Sequence, residues 1–109
     1  MNKKIYNKLI GVAKKGTVIY EGDLASVAGM NMSLPHERHE LDRQLDEINT
    51  YEHEQGHPIL SAVVIQRDSH MPNRHFFEFC RDAGVLKGED EDGFYSKEQR
   101  NVYIFWASH

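Results

Sequence analysis

The segment from His57 to Asp68, with the sequence HPILSAVVIQRD, constrains the fold more than any other part of the chain. Its apolar residues form an almost unbroken and largely β-branched run: Ile59, Leu60, Ala62, Val63, Val64 and Ile65. A short run of this kind is typical of a central strand that is covered on both faces. The sequence therefore predicts a central strand at about residues 59–66.

The remaining sequence predicts helices packed around a short β-sheet. Apolar spacing and helix-ending glycines predict helices at about residues 2–15, 23–28, 36–54 and 73–83, and a short strand at 17–20. Ser96, with Gln99 three residues later, forms a capping-box pattern that favours a last helix from Lys97 to Ala107, after an acidic turn at 88–93. The buried stripe of the long helix is expected at Leu41, Leu45, Ile48 and Tyr51.

This order of elements predicts a single α+β domain over residues 1–109. Helix, short strand, short helix, long helix and β segment follow one another as in a winged helix-turn-helix, where the third helix lies in the major groove of DNA. The chain of 109 residues fits one domain with one core. We therefore expect a winged-helix-like α+β fold.

Cysteine usage and hydropathy indicate the cellular setting. Cys80 is the only cysteine, which excludes an internal disulfide and suits a reducing compartment. No apolar segment approaches the length of a membrane span, and the N-terminal residues do not form a signal-peptide core. The sequence predicts a cytoplasmic protein with no membrane partner.

Charge is distributed unevenly along the chain, whose formal net charge is -4. Five lysines precede the first acidic residue, Glu21: Lys3, Lys4, Lys8, Lys14 and Lys15. Residues 37–54 and 89–92 are predominantly acidic. Such a dipolar arrangement favours docking of an acidic partner on one side, although two solvated faces are the simpler interpretation.

A literal H-E-x-x-H motif, His53-Glu54-Gln55-Gly56-His57, is the strongest catalytic pattern. A zinc protease needs both histidines on one helical face, but Gly56 and Pro58 are expected to end the helix before the second histidine. A hydrolase using His53, Glu54 and His57 stays a remote alternative. We expect no metal, no cofactor, no small-molecule substrate and no catalytic residue. The two candidate nucleophiles, Cys80 and Ser61, are both predicted to be buried.

DNA binding is the second interpretation of the sequence. The long helix offers Arg38 and Arg43, which can hydrogen-bond to base edges. Phosphate contacts would come from the five N-terminal lysines and from Arg74. Neighbouring acids on the same helix, such as Asp42 near Arg38 and Asp46 near Arg43, favour intrahelical ion pairs instead.

Protein binding is the first interpretation. Two aromatic groups exceed what a small core needs: Phe76, Phe77 and Phe79, and the group that includes Tyr103 and Trp106. Part of them is expected to form an interface with a protein partner or a second copy of the chain. The alternative is that these aromatics close the core over the central strand. We therefore expect a non-enzymatic module that binds a protein, with DNA as the alternative partner.

Part of the chain resembles a pattern in small bacterial proteins. The stretch Gly56 to Ile65, then Met71-Pro72-Asn73 and Phe76-Phe77, is similar to a Gly-Arg-Pro-Leu-Leu-Ser-Ala-Val-Val run that is followed by Met-Pro-Gly and Gly-Phe-Phe. The likeness covers about residues 45–107, including a Trp-containing last helix. His57 replaces the arginine of the pattern, and Asn73 and His75 replace its glycines. The resemblance implies a shared fold and a bacterial or phage source, and it implies no activity.

Overall fold

The computed structural model describes the whole chain, Met1–His109. Five α-helices surround a two-stranded sheet. The elements in chain order are α1 (Lys3–Lys14), β1 (Ile19–Tyr20), α2 (Glu21–Val27), α3 (Pro35–Glu54), a 3₁₀-helix (Leu60–Val63), β2 (Val64–Ile65), α4 (Arg74–Asp82) and α5 (Glu91–Ala107). The predicted α+β class, mostly helical around a short sheet, is confirmed.

The central segment is buried as predicted, but most of it is not a strand. Residues 59–65 are all buried. Leu60–Val63 forms a 3₁₀-helix, and only Val64–Ile65 is extended. Hydrophobicity alone cannot distinguish a short buried strand from a buried helical turn, because both are apolar on every side. The strand predicted at 59–66 is therefore reduced to its last two buried residues.

The sheet joins this segment to the first strand in parallel. Ile19 lies opposite Val64, and Tyr20 lies opposite Ile65. The order of elements from α1 to β2 is the one expected for a winged helix. No β-hairpin follows α3, so the winged-helix likeness extends to the order of the elements and does not include a hairpin wing.

The helix ends follow local capping chemistry. The Asn2 side chain caps α1 by accepting a hydrogen bond from the backbone N–H of Ile5 (3.1 Å). Pro35 occupies the first turn of α3, and Gly56 (φ 75°) follows its end. The expected start of α2 at Asp23 is corrected to Glu21, since the helix begins directly after β1.

The last helix begins earlier than predicted. The Asp90 side chain accepts a hydrogen bond from the backbone N–H of Gly93 (2.9 Å), and α5 runs from Glu91. Ser96 lies inside the helix and does not cap it. The acidic run at 88–93 is therefore only partly a turn, because Glu91 and Asp92 form the first helical turn, where negative side chains are stabilised by the helix dipole.

One apolar core holds these elements together. It contains the apolar residues of 59–65 and the predicted apolar face of α1, Ile5, Leu9, Val12 and Ala13. On α3 the buried stripe includes Leu41, Leu45 and Ile48 as predicted, but Tyr51 is exposed, and Glu52 is buried in the last turn instead. None of the helices has both the length and the apolar character needed to span a bilayer.

Candidate functional site

The lysine face of α1 is defined by Lys3, Lys4, Lys8 and Lys14 together with Lys15 at the C-cap. All five side chains are exposed. Helical periodicity places them opposite the buried Ile5, Leu9 and Val12. None of the ion pairs in the structure involves a lysine, and α1 carries no acidic residue. This face therefore presents uncompensated positive charge to solvent.

A groove, called here the α1 groove, lies beside the lysine face between α1, β1 and α2. Its volume is about 410 Å³, and its lining includes Lys8, Gly11, Lys15, Val18, Asp23 and Val27. Val18 and Val27 are among the exposed large apolar residues of the chain. The α1 groove thus combines an apolar wall with a basic rim.

The arginines of α3 are occupied by groups of the same chain. Arg38 donates from Nε and Nη2 to the backbone carbonyl of Met32 (3.2 and 2.9 Å), and not to Asp42 as expected. Arg43 pairs with Glu40 (2.6 Å) and Glu47 (2.8 Å). The hydrogen bond from Arg43 lowers the pKa of Glu40. The two arginines expected to read DNA bases are therefore held against α3 and the loop before it.

The third predicted arginine belongs to a clamp between two helices. Arg74 donates from Nη2 to Glu91 (2.8 Å), and Arg81 reaches the same carboxylate (3.3 Å). These bonds connect α4 to the first turn of α5. Arg74 is therefore engaged within the chain and does not extend the lysine face.

Most of the aromatic residues predicted as an interface lie in the core. Phe76, Phe77 and Trp106 are buried, whereas Phe79 and Tyr103 are partly exposed. The Tyr103 hydroxyl donates to the carbonyl of Thr17 (2.8 Å) and so connects α5 to the segment before β1. The three buried residues agree with the alternative interpretation, in which the aromatics close the core. Of the five residues predicted as an interface, only Phe79 and Tyr103 present side-chain surface to a partner.

The H-E-x-x-H residues do not share a helical face. His53 and Glu54 are exposed in the last turn of α3, and the chain reverses at Gly56 before it reaches His57. The expected end of the helix before the second histidine is confirmed. No group of three or more His, Cys, Asp or Glu side chains in the structure is placed to hold a metal ion.

His57 instead contacts the neighbouring glutamate, Glu52. The Glu52 carboxylate is completely buried; one oxygen contacts Nδ1 of His57, and the other accepts from the Tyr6 hydroxyl (2.8 Å). Burial and the charge and hydrogen bond of Glu52 raise the pKa of Tyr6. The His57 ring packs on Phe105, with 4.3 Å between ring centroids. Sequence reasoning missed this cluster, although Glu52 continues the Leu45 and Ile48 stripe at helical spacing.

A small polar cavity lies between α3 and α4. Its volume is about 20 Å³, the size of about one water molecule. In its lining, the buried Asn49 donates to the Ser61 hydroxyl (2.7 Å), and Asp46 contacts Nε2 of His75 (2.8 Å). The second Asp46 oxygen, Oδ1, is buried without a partner. Volume and lining suit a solvent molecule better than an organic substrate.

The two candidate nucleophiles are buried, as expected. Cys80 has no exposed surface, and burial together with the nearby charge of Glu98 raises the pKa of its thiol to about 12. The Ser61 side chain is held by Asn49 inside the fold.

Comparison with protein-family models, with curated proteins and with solved structures finds no match to the chain. The candidate site is therefore defined by geometry alone, and its exposed part is the lysine face with the α1 groove.

Proposed function

We propose that this chain is a non-enzymatic module that binds an acidic protein partner through the lysine face of α1. The supporting observation is that all five lysines are exposed and free of ion pairs, whereas Arg38, Arg43 and Arg74 are held by acceptors of the same chain. Side chains without an internal partner lose no existing ion pair when they bind, so their charge is available for complementarity and steering.

A protein partner suits this face better than duplex DNA. The N-terminal end of α1 lies against α3, since the N-terminal amine pairs with Glu47 (3.4 Å) and the backbone N–H of Asn2 donates to the side-chain oxygen of Gln44 (3.0 Å). Duplex DNA carries one negative charge per about 1.7 Å of its axis. A duplex laid over Lys3 and Lys4 would bring phosphates towards Glu47 of α3, whose charge is partly offset by the N-terminal amine and Arg43. A narrower acidic protein segment can follow the lysines without that repulsion.

Matched charge-reversal variants test the proposal. The double variant Lys4→Glu and Lys8→Glu changes the lysine face, and the control Lys87→Glu and Lys97→Glu makes the same change of charge at two exposed lysines outside it. Immobilised wild-type chain and both variants are exposed to bacterial lysate, and captured proteins are quantified by mass spectrometry. We expect an acidic protein that the wild type and the control retain and that the Lys4/Lys8 variant loses.

The captured partner is then purified and titrated. Its affinity for the wild type should fall with added salt, because the contacts join exposed charges. Equal affinity of both variants for that partner would contradict the proposal.

Duplex DNA and self-association are the competing outcomes. The exposed lysines are also suited to phosphate contacts, which makes DNA binding the second candidate. Fluorescence anisotropy with a labelled duplex and light scattering of the isolated chain test these two. If the wild type binds the duplex tightly and the Lys4/Lys8 variant does not, DNA becomes the proposed partner instead of an acidic protein. If the wild type is a dimer and the same variant is a monomer, a second copy of the chain becomes the proposed partner.

A further inference from the structure

Gly11 lies in the middle of α1, where glycine has a cost that the fold itself does not explain. Glycine in a helix interior is less stable than alanine because it loses more backbone freedom on folding. A side-chain Cβ at position 11 would meet no atom within 4 Å. The packing of this chain therefore leaves room for a larger residue, and the missing side chain opens the surface of α1 at the α1 groove.

The α1 groove presents two kinds of chemistry to a ligand. Val18 and Val27, each more than a third exposed, provide apolar surface on the side of β1 and α2. Lys8 and Lys15 provide positive charge on the side of α1. The one acid in the lining, Asp23, pairs with Arg67 (3.7 Å) across the sheet end, which partly offsets its charge. The groove is thus basic at one edge and apolar at the other.

We infer that the α1 groove takes an acidic amphipathic segment of the partner protein. Small apolar side chains of that segment lie over Gly11 and against Val18 and Val27, and its carboxylates pair with Lys8 and Lys15. This inference rests on the proposed function and adds to it the place and the chemistry of the bound segment. Absence of a side chain at position 11 lets the segment approach the helix backbone closely.

Charge complementarity selects this occupant. Lys8 and Lys15 line the α1 groove and take part in no ion pair, so a basic or neutral segment would gain nothing from them. A purely charged acidic chain would leave Val18 and Val27 in water, whereas an amphipathic one covers them. The helix α3 of a second copy is also acidic, so it is a competing occupant of the groove. The test below distinguishes it from a segment of a partner protein.

Peptide selection followed by a groove-filling variant tests the inference. A random peptide library displayed on phage is selected on the immobilised wild-type chain, and enriched peptides are synthesised with a fluorescent label. We expect the enriched sequences to combine acidic residues with small apolar ones. Gly11→Leu should weaken their binding by roughly tenfold or more, as measured by anisotropy. The control Gly22→Leu places the same side chain in open space outside the α1 groove and should bind like the wild type.

Circular dichroism and thermal unfolding establish that both variants fold. Enriched peptides without acids, or peptides that Gly11→Leu binds as tightly as the wild type does, would overturn the inference. If Gly11→Leu still binds the partner but the double variant Lys4→Glu and Lys8→Glu does not, the inference about the α1 groove is wrong, and the proposal that the lysine face binds the partner is retained. If both variants bind the partner like the wild type, the proposed function fails as well. A dimer that Gly11→Leu dissociates would assign the groove to a second copy of the chain.

Discussion

Glu52 and His57 join the end of α3 to the start of the central segment. The Glu52 carboxylate has no exposed surface and contacts Nδ1 of His57, five residues further along the chain. Its other oxygen accepts from Tyr6 on α1 (2.8 Å). A single buried side chain therefore connects two helices and the turn that leads into the core.

Replacing Glu52 by alanine should destabilise the fold strongly. The change leaves the Tyr6 hydroxyl and the His57 ring nitrogen without their partner, and it opens space in a buried position. We expect a loss of about 3 kcal/mol in the free energy of unfolding, measured by urea denaturation.

The neighbouring glutamate provides the matched control. Glu54 is exposed in the same helical turn, so Glu54→Ala should change the free energy of unfolding by less than about 0.5 kcal/mol. If the two variants were equally stable, Glu52 would not be the connecting residue.

The His75–Asp46 pair should make stability depend on pH. Burial disfavours the charged ring, but the hydrogen bond and charge of Asp46, together with the charges of Asp42 and Glu78, outweigh it and raise the pKa of His75 above its ordinary value of 6.5. A histidine whose pKa is higher in the folded state than in the unfolded state stabilises the fold when it is protonated. This contribution is complete at pH values below the unfolded-state pKa, and it is lost as the pH rises through the folded-state pKa. Asp46→Asn should therefore destabilise the chain more at about pH 5.5 than at about pH 8.5.

Two measurements check this dependence. Urea denaturation of wild type and Asp46→Asn at both pH values gives the stability difference, and an NMR titration gives the pKa of His75 in each. The pKa should be lower in Asp46→Asn, though Asp42 and Glu78 still raise it. A stability difference that is the same at both pH values would argue against the pair.

Cys80 should be unreactive in the folded chain. Its side chain has no exposed surface, and burial raises the pKa of the thiol to about 12, so little thiolate forms near neutral pH. We expect a colourimetric disulfide reagent to label Cys80 at once in strong urea and only slowly, through opening of the structure, in buffer. Fast labelling without denaturant would show that the face of α4 that carries Cys80 is not packed into the core.

The sequence predicted the elements that depend on local periodicity. The exposed lysines and the buried Ile5, Leu9 and Val12 of α1 follow from helical spacing alone, and both were placed correctly. The bounds of α3 also follow from local signals, namely Pro35 at its start and Gly56 after its end.

Features that depend on contacts between distant residues were not predictable. The α1 groove exists because the packing of α2 on α1 brings Val18 and Val27 beside Gly11. No local sequence pattern predicts that these residues lie close together. Arg38 contacts a backbone carbonyl of the preceding loop, so the pairing rule for helical side chains pointed to the wrong partner. The same holds for Glu52, whose partners lie on α1 and in the turn after α3.

The residue that caps α5 in the structure, Asp90, differs from the one that the capping-box pattern in the sequence predicted, Ser96. Asp90→Ala removes the side chain that accepts from the Gly93 amide (2.9 Å) and should lower the free energy of unfolding by about 1 kcal/mol. Ser96 is an exposed position inside the helix, so Ser96→Ala should leave stability unchanged or raise it by up to about 0.5 kcal/mol, because alanine has the higher helix propensity. Urea denaturation of the two variants side by side checks this order. The opposite order, with Ser96→Ala the less stable, would place the start of the helix at the capping box and leave Glu91 outside it.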